Sequence, residues 1–340
     1  MKPKDILTNR AFCPIPWTGL MYNFDGTVKN CIRSDKATGQ LGNIQDNTIE
    51  EILLGSVNVT KQENIIAQRP ANGCHTCYDL ERGKKGFDII SDRIFYIREF
   101  KRTPVGTYQP NNFDLQTIDV RWTNLCNFAC VYCGPEFSSK WADELDSKIV
   151  TPTEEQLAQF KEYIYKNAKN LKHVYLAGGE PLINHHVYKL LKLISEKTSQ
   201  PEIVINSNIA SIKPHFIDVL KQLKQVSITV SIDGFGLVNE YHRWPLNWDK
   251  FYNNLLMLNN IGVYVSWNTV IDSISVWGLK NLLAIEHLTN AWNLRILTAP
   301  EELRLRNLST EIKPMAKNQL QSLTESKFFL TTFFSLNACK

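Results

Sequence analysis

From residue 116 onward, short β-rich runs alternate with longer stretches of helical period, and this alternation restricts the chain to very few architectures. The predicted strands are Thr117 to Trp122, His173 to Ala177, Glu202 to Asn206, Gln225 to Ile232, Val263 to Val270 and Asn293 to Leu297. Helices are predicted between them near Thr153 to Ala168, His186 to Lys197, Lys213 to Lys224, Trp248 to Ile261 and Val276 to Leu288. Regular βα alternation implies parallel strands joined by right-handed crossovers. Six such strands predict an α/β chain with a partial (β/α)6 TIM-like barrel rather than a closed eight-stranded one. Functional residues of that architecture sit in loops at the C-terminal ends of strands, so each motif is tested by where it falls.

The first hundred residues follow another pattern. Trp17 to Phe24 and Thr27 to Ile32 flank Asp25-Gly26, a dipeptide that supplies the positive φ angles of a tight hairpin turn. A helix is expected at Thr48 to Leu54, before Cys74-His75-Thr76-Cys77, and Arg102 to Phe113, rich in Pro, Gly, Asn and Thr, reads as a connection. The expected organisation is a small Cys-rich β-hairpin module in 1–100, a linker in 101–115, the barrel in 116–300 and a C-terminal segment in 301–340. That last segment carries no motif. It reads either as a helix closing the open side of the barrel or as the stub of a substrate lid.

The chain has 340 residues, 43% of them apolar, and a formal charge of +4, with no basic block to suggest a nucleic-acid arm. MKPKDILTNRAFCPIPW lacks the apolar stretch of a signal peptide, and no run of about 18 uncharged apolar residues occurs, so a soluble, cytosolic protein without a membrane partner is expected. Eight cysteines are too sparse for a disulfide scaffold at this length and are clustered, which favours metal ligation or catalysis.

Cys126, Cys130 and Cys133 lie just after the first predicted barrel strand in RWTNLCNFACVYCGP. Three thiolates on one loop can grip three corners of a cubic iron–sulfur cluster and leave one iron open to an exogenous ligand. The same three residues could also be buried small hydrophobes, or part of a zinc knuckle completed elsewhere. Position favours chemistry, because the loop falls where a βα barrel keeps its active site.

The C-x3-C-x2-C spacing with Tyr132 before the last cysteine resembles the signature of the radical S-adenosylmethionine (SAM) superfamily. That resemblance implies that the open iron of a [4Fe-4S] cluster chelates SAM. It implies further that reductive cleavage gives methionine and a 5′-deoxyadenosyl radical that abstracts hydrogen from a substrate, and that the loop around Tyr132 lies against the adenine. LAGGEPLI, one βα unit later, resembles the family's GGE motif, which assigns Gly178, Gly179 and Glu180 to the SAM amino group. By itself Gly-Gly-Glu-Pro reads as a plain turn. Ser207 and Asn208 in INSNIA, Ser231, Asp233 and Gly234 in SIDG and Arg243 in EYHRWP resemble the positions that hold the SAM ribose and carboxylate. Each has a bland reading: the serines and Asn208 as strand-end turn formers, Asp233-Gly234 as a strand cap, and Arg243 as a surface ion pair.

Cys13, Cys31, Cys74 and Cys77 are enough to close a metal site completely. Their context resembles the auxiliary-cluster module called twitch, or half of a SPASM domain, which implies a second [4Fe-4S] cluster; the order is permuted, since that module generally follows the barrel. A structural zinc site suits the same four ligands. His75 reads as an exposed loop residue, and Cys339 as part of a frayed tail.

The leading expectation is a radical SAM enzyme, oxidoreductase-like, fed by a flavodoxin- or ferredoxin-like donor and acting on a peptide or protein. A small metabolite, carbohydrate or nucleoside is the alternative substrate. A non-catalytic iron–sulfur electron carrier and a zinc-stapled binding protein are the alternatives from other classes, and the Gly178-Gly179-Glu180 cradle argues against the first of them.

Overall fold

The structure, a computed structural model, describes residues 9–82, 91–99 and 108–328. Cys339 and the first half of the Arg102 to Phe113 connection lie outside the described residues. The strands are β1 (Gly19–Tyr22), β2 (Thr27–Lys29), β3 (Gln40–Asn43), β4 (Thr117–Val120), β5 (Ala129–Cys130), β6 (His173–Leu176), β7 (Glu202–Ser207), β8 (Val226–Ser231), β9 (Arg243–Trp244), β10 (Tyr264–Ile271) and β11 (Ala291–Ile296). All six predicted barrel strands are present and alternate with helices, in the α/β class expected. The chain divides into two compact units, Met1–Trp122 with Val150–Tyr175, and Thr123–Ile149 with Leu176–Lys340.

In the first unit the strand order is β6-β4-β1-β2-β3. The β1–β2 hairpin forms as the sequence implies, but its turn needs only one left-handed residue. Gly26 takes φ +82°, while Asp25 caps the turn by accepting the Thr27 N–H at 2.9 Å. The hairpin is not an appendage. β1 pairs in parallel with β4, Gly19 opposite Thr117 through Tyr22 opposite Val120, so the expected boundary near residues 101–115 does not coincide with this unit. The physical reason is burial: β1 is buried at every position and presents Tyr22 to Trp122 and Phe160. Phe160 comes from the helix Glu154–Asn167, started by a Thr153/Gln156 capping box and burying Leu157, Phe160 and Ile164 on one face. A second cluster of Phe12, Trp17, Ile65, Ala71 and Tyr108 packs against Cys74.

In the second unit β7, β8, β10 and β11 run parallel in that order. Ile205, Ile228, Val230, Val265 and Trp267 are fully buried along them. Asn184 caps the helix His185–Ser195, whose Val187, Leu190, Leu191 and Ile194 make the buried stripe. The helix predicted at Val276 to Leu288 is instead two 3₁₀ segments, Ser275–Trp277 and Lys280–Leu288. Gly278 separates them, pressed so close to Val238 that a Cβ there would lie 2.8 Å from its side chain. The C-terminal segment does contain a helix, Lys313–Ser322, which packs against these 3₁₀ turns.

Candidate active site and metal centres

Two devices shape the three-cysteine loop. The short β5–β9 ladder sets Cys130 opposite Arg243 and Ala129 opposite Trp244. Ser138 and Ser139, at the start of the helix Ser139–Glu144, tie the loop down: Ser138 Oγ donates to the Phe128 carbonyl at 2.5 Å, and Ser139 Oγ accepts the Cys126 N–H at 3.1 Å. Trp141 Nε1 adds a bond of 2.8 Å to the Cys130 carbonyl. None of the three thiols is in a disulfide. Burial pushes Cys126 up to about 12 and Cys130 up to about 11, and also raises Cys133. The sulfurs are close enough to oppose one another's ionisation. Three free thiols on one pinned loop, which would give up their protons on binding a metal, have the donor chemistry of a cluster held at three corners.

The glycine-rich tip after β6 meets this loop directly. Gly178 and Gly179 take φ +79° and +52°, and a Cβ on Gly179 would lie 2.2 Å from the Leu125 carbonyl oxygen. The Glu180 N–H donates to that same oxygen at 2.8 Å. Glu180 itself is buried. Its carboxylate accepts from the Leu182 N–H at 2.9 Å, Ser207 Oγ at 2.7 Å and the Asn208 N–H at 2.7 Å. Burial raises its pKa, and these hydrogen bonds oppose the rise. Ser207 therefore serves Glu180, and Asn208 reaches back to the cysteine loop through Nδ2, 2.9 Å from Asn127 Oδ1.

Arg243 is not a surface residue. Its side chain is 6% exposed and pairs with Asp233 Oδ2 at 2.8 Å, with a second nitrogen 3.8 Å from Cys130 Sγ. Tyr132 completes the group: its hydroxyl donates to Asp233 Oδ2 at 2.8 Å and contacts the Arg243 guanidinium. Desolvation opposes the Arg243 charge, yet Asp233 beside it holds the pKa above the ordinary value. Sequence reasoning placed Asp233 among the candidate SAM-holding positions, with a strand cap as its bland reading, and did not foresee that its carboxylate pairs with Arg243 and Tyr132. Ser231, also buried, ends β8 two residues before it. The anchors Ser138 and Ser139 were missed as well, although Ser before an amphipathic run is a helix N-cap signal.

In the other unit Cys13, Cys31, Cys74 and Cys77 line one cavity of about 30 Å³ together with Arg33 and Arg93. The sequence separation of Cys13 and Cys77 is closed by the Phe12/Trp17/Tyr108 packing and by Tyr78, whose hydroxyl donates to the Ala11 carbonyl at 3.0 Å. Burial raises all four thiols, Cys74 and Cys77 to about 11. Four undisulfided thiols lining one cavity have the donor chemistry of a fully ligated centre, although among the described residues no three Cys, His, Asp or Glu side chains stand as placed where they would hold an ion. The two arginines are matched, Arg33 by Asp92 at 2.6 Å and Arg93 by Glu81. His75 is exposed, as expected, but opens the helix His75–Glu81 rather than lying in a loop.

The fold and these two thiol sets define a class: a βα enzyme scaffold with a three-cysteine loop at a glycine-rich strand tip, preceded by a module with four convergent cysteines. Comparison with known proteins gives that class its name. Residues 120–274 match the Radical SAM superfamily, and residues 13–78 match SPASM, an iron–sulfur cluster-binding domain. The chain carries a radical SAM domain, with a SPASM iron–sulfur module on its N-terminal side. Its domains imply a [4Fe-4S] cluster with SAM, and an auxiliary iron–sulfur cluster. The chain is 28% identical over 153 residues to a GTP 3′,8-cyclase of Campylobacter lari, a match covering 44% of each protein. It is 35% identical over 86 residues to a 7-carboxy-7-deazaguanine synthase of Clostridium acetobutylicum, covering 25% of this chain and 35% of that enzyme. The chain thus spans less than half the length of these two curated relatives. Among solved structures it is similar to SuiB of Streptococcus suis bound to S-adenosylmethionine, with TM-score 0.45 and 15% identity over 71% of this chain and 56% of that one. No helix among the described residues is long and apolar enough to cross a membrane.

Proposed function

We propose that Cys126, Cys130 and Cys133 hold a [4Fe-4S] cluster whose open iron takes up SAM, and that the chain uses this site for radical chemistry on an unactivated C–H bond. When bound, the cluster supplies the electron that cleaves SAM to methionine and a 5′-deoxyadenosyl radical able to take hydrogen from a substrate. The observation that carries the proposal is the contact of the two motifs: the Glu180 N–H and the bare Cα of Gly179 both rest on the Leu125 carbonyl, beside Cys126.

The chain's own residues position and shield. Gly178 and Gly179 supply the left-handed backbone that brings the tip against the cysteine loop, toward the SAM amino end, and Glu180, fixed by Ser207 and Asn208, keeps that tip in shape. Asp233 orients Arg243 and Tyr132 on the far side of Cys130, where they present a cation and an aromatic face to the SAM carboxylate and adenine. Ser231, buried at the end of β8, is the remaining candidate of this group. Cys13, Cys31, Cys74 and Cys77 hold the auxiliary cluster; a structural zinc would use the same ligands. The proposed setting is the cytoplasm, with a flavodoxin- or ferredoxin-like electron donor.

For the substrate we propose a peptide or protein, on the strength of the SPASM module. A nucleoside triphosphate is the second reading, favoured by the repeated similarity to GTP 3′,8-cyclases. The test is anaerobic. Reduced protein with SAM is expected to form 5′-deoxyadenosine, and Cys130→Ala to lower the rate by at least about a hundredfold; wild-type-like product from that variant overturns the assignment. Turnover stimulated by GTP but not by a peptide encoded beside the gene would replace the first substrate reading by the second.

A further inference from the structure

Among the described residues, no carboxylate lies within ion-pair distance of the buried cations Lys29 and Lys61. They are 8% and 2% exposed. Lys29 Nζ donates to the Ser34 carbonyl at 3.2 Å and Lys61 Nζ to the Gly39 carbonyl at 2.9 Å, both on the loop between Cys31 and β3. That loop is pressed against the Cys74 turn: a Cβ on Gly73 would lie 2.4 Å from the Gly39 Cα, and the Asp35 N–H donates to the Gly73 carbonyl at 2.9 Å. Ser34, whose carbonyl holds Lys29, also sets its Oγ 3.6 Å from Cys31 Sγ. Asp35 and Asp25 act on Lys29 from beyond ion-pair distance, and Asp35 already accepts from Ala37 and Thr38. The arginines at this site cannot supply the missing balance, because each is matched by its own carboxylate.

A buried ammonium bonded only to a carbonyl is costly, and such groups are retained where an opposite charge meets them. Four thiolates around an oxidised [4Fe-4S] core carry a net charge of about −2, the charge that two lysines match. We propose that Lys29 and Lys61 are charge-balancing, positioning residues of the four-cysteine centre, which hold its reduction potential up and suit the fold best when four thiolates are present. The proposal rests on reading Cys13, Cys31, Cys74 and Cys77 as a metal centre, and is independent of the substrate.

The test is a reductive titration of the loaded full-length protein followed by electron paramagnetic resonance, in which the signal unresponsive to SAM reports this centre. Lys29→Met and Lys61→Met are each expected to lower the reduced fraction of that signal about tenfold at a fixed poise, equivalent to about 59 mV for one electron, while Lys61→Arg stays near wild type and the SAM-responsive signal does not move. Thermal unfolding supplies the second readout: Lys61→Met lowers Tm in the loaded protein but leaves it equal or higher in the metal-free chain. An unmoved potential with iron content intact overturns the proposal, as does equal destabilisation of both forms, which marks a merely structural lysine. A colourless zinc tetrathiolate at this site would sink the auxiliary-cluster reading alone; the loaded against metal-free comparison would still decide the charge-balancing role.

Discussion

A buried thiol is a poor ligand until its proton leaves, and this sets the behaviour of the metal-free chain. Cys126 is held at about 12, and Cys74, Cys77 and Cys130 at about 11, chiefly by burial, against an ordinary value of 9.0. Folded values above the unfolded one mean that the native state binds these protons more tightly. The resulting stability is complete below pH 9 and is lost as pH rises from there through the folded values. Metal-free protein should therefore melt at progressively lower temperature between about pH 9 and 11, whereas iron-loaded protein, whose thiolates have already released their protons, should not. Parallel melting curves of the two forms across that range would contradict the assignment of these cysteines as ligands. At this scale the sequence was informative about identity and silent about partners. The thiols and the Gly-Gly-Glu tip were legible because their chemistry lies in short spacings. The Tyr132, Asp233 and Arg243 group was not, because its members are brought together only by the ladder between β5 and β9.

At the level of elements, the meeting of the cysteine loop with the glycine-rich tip is the most demanding contact in the second unit. Gly179 needs both a left-handed backbone and no side chain. Gly179→Ala should cost about 2–4 kcal/mol through strain and a backbone clash, and should empty the Cys126 site in preference to the four-cysteine site. Iron analysis after gel filtration, with thermal melting, checks both; retention of full iron would mean that the loop tolerates displacement. Strand and helix positions here follow from hydrophobic period, which is why the six strands and the first four helices between them could be read in advance. The segment after β10 could not. Its apolar spacing suits an α-helix, but close packing of Gly278 on Val238 breaks it into two tighter turns, a tertiary constraint that local period does not encode.

For the molecule as a whole, the two thiol sets are expected to load independently. Wild-type protein should carry about eight irons, and Cys31→Ala about four, with reductive cleavage of SAM retained. Loss of all iron from that single variant would show that the sets are not separate centres. Order along the chain was visible from the sequence, but the extent of the N-terminal module was not, because a strand pairing in parallel leaves no turn to announce it.

That pairing bears on how the protein is made. β1 leaves the ribosome about a hundred residues before β4, the strand it lies beside in register. Until then its buried face has only the antiparallel neighbour β2, and a two-stranded ribbon is marginal on its own. Nascent chains truncated before β4 should therefore be sensitive to proteolysis and dependent on holding chaperones, and assembly of the first iron centre becomes an event that waits for the barrel to begin.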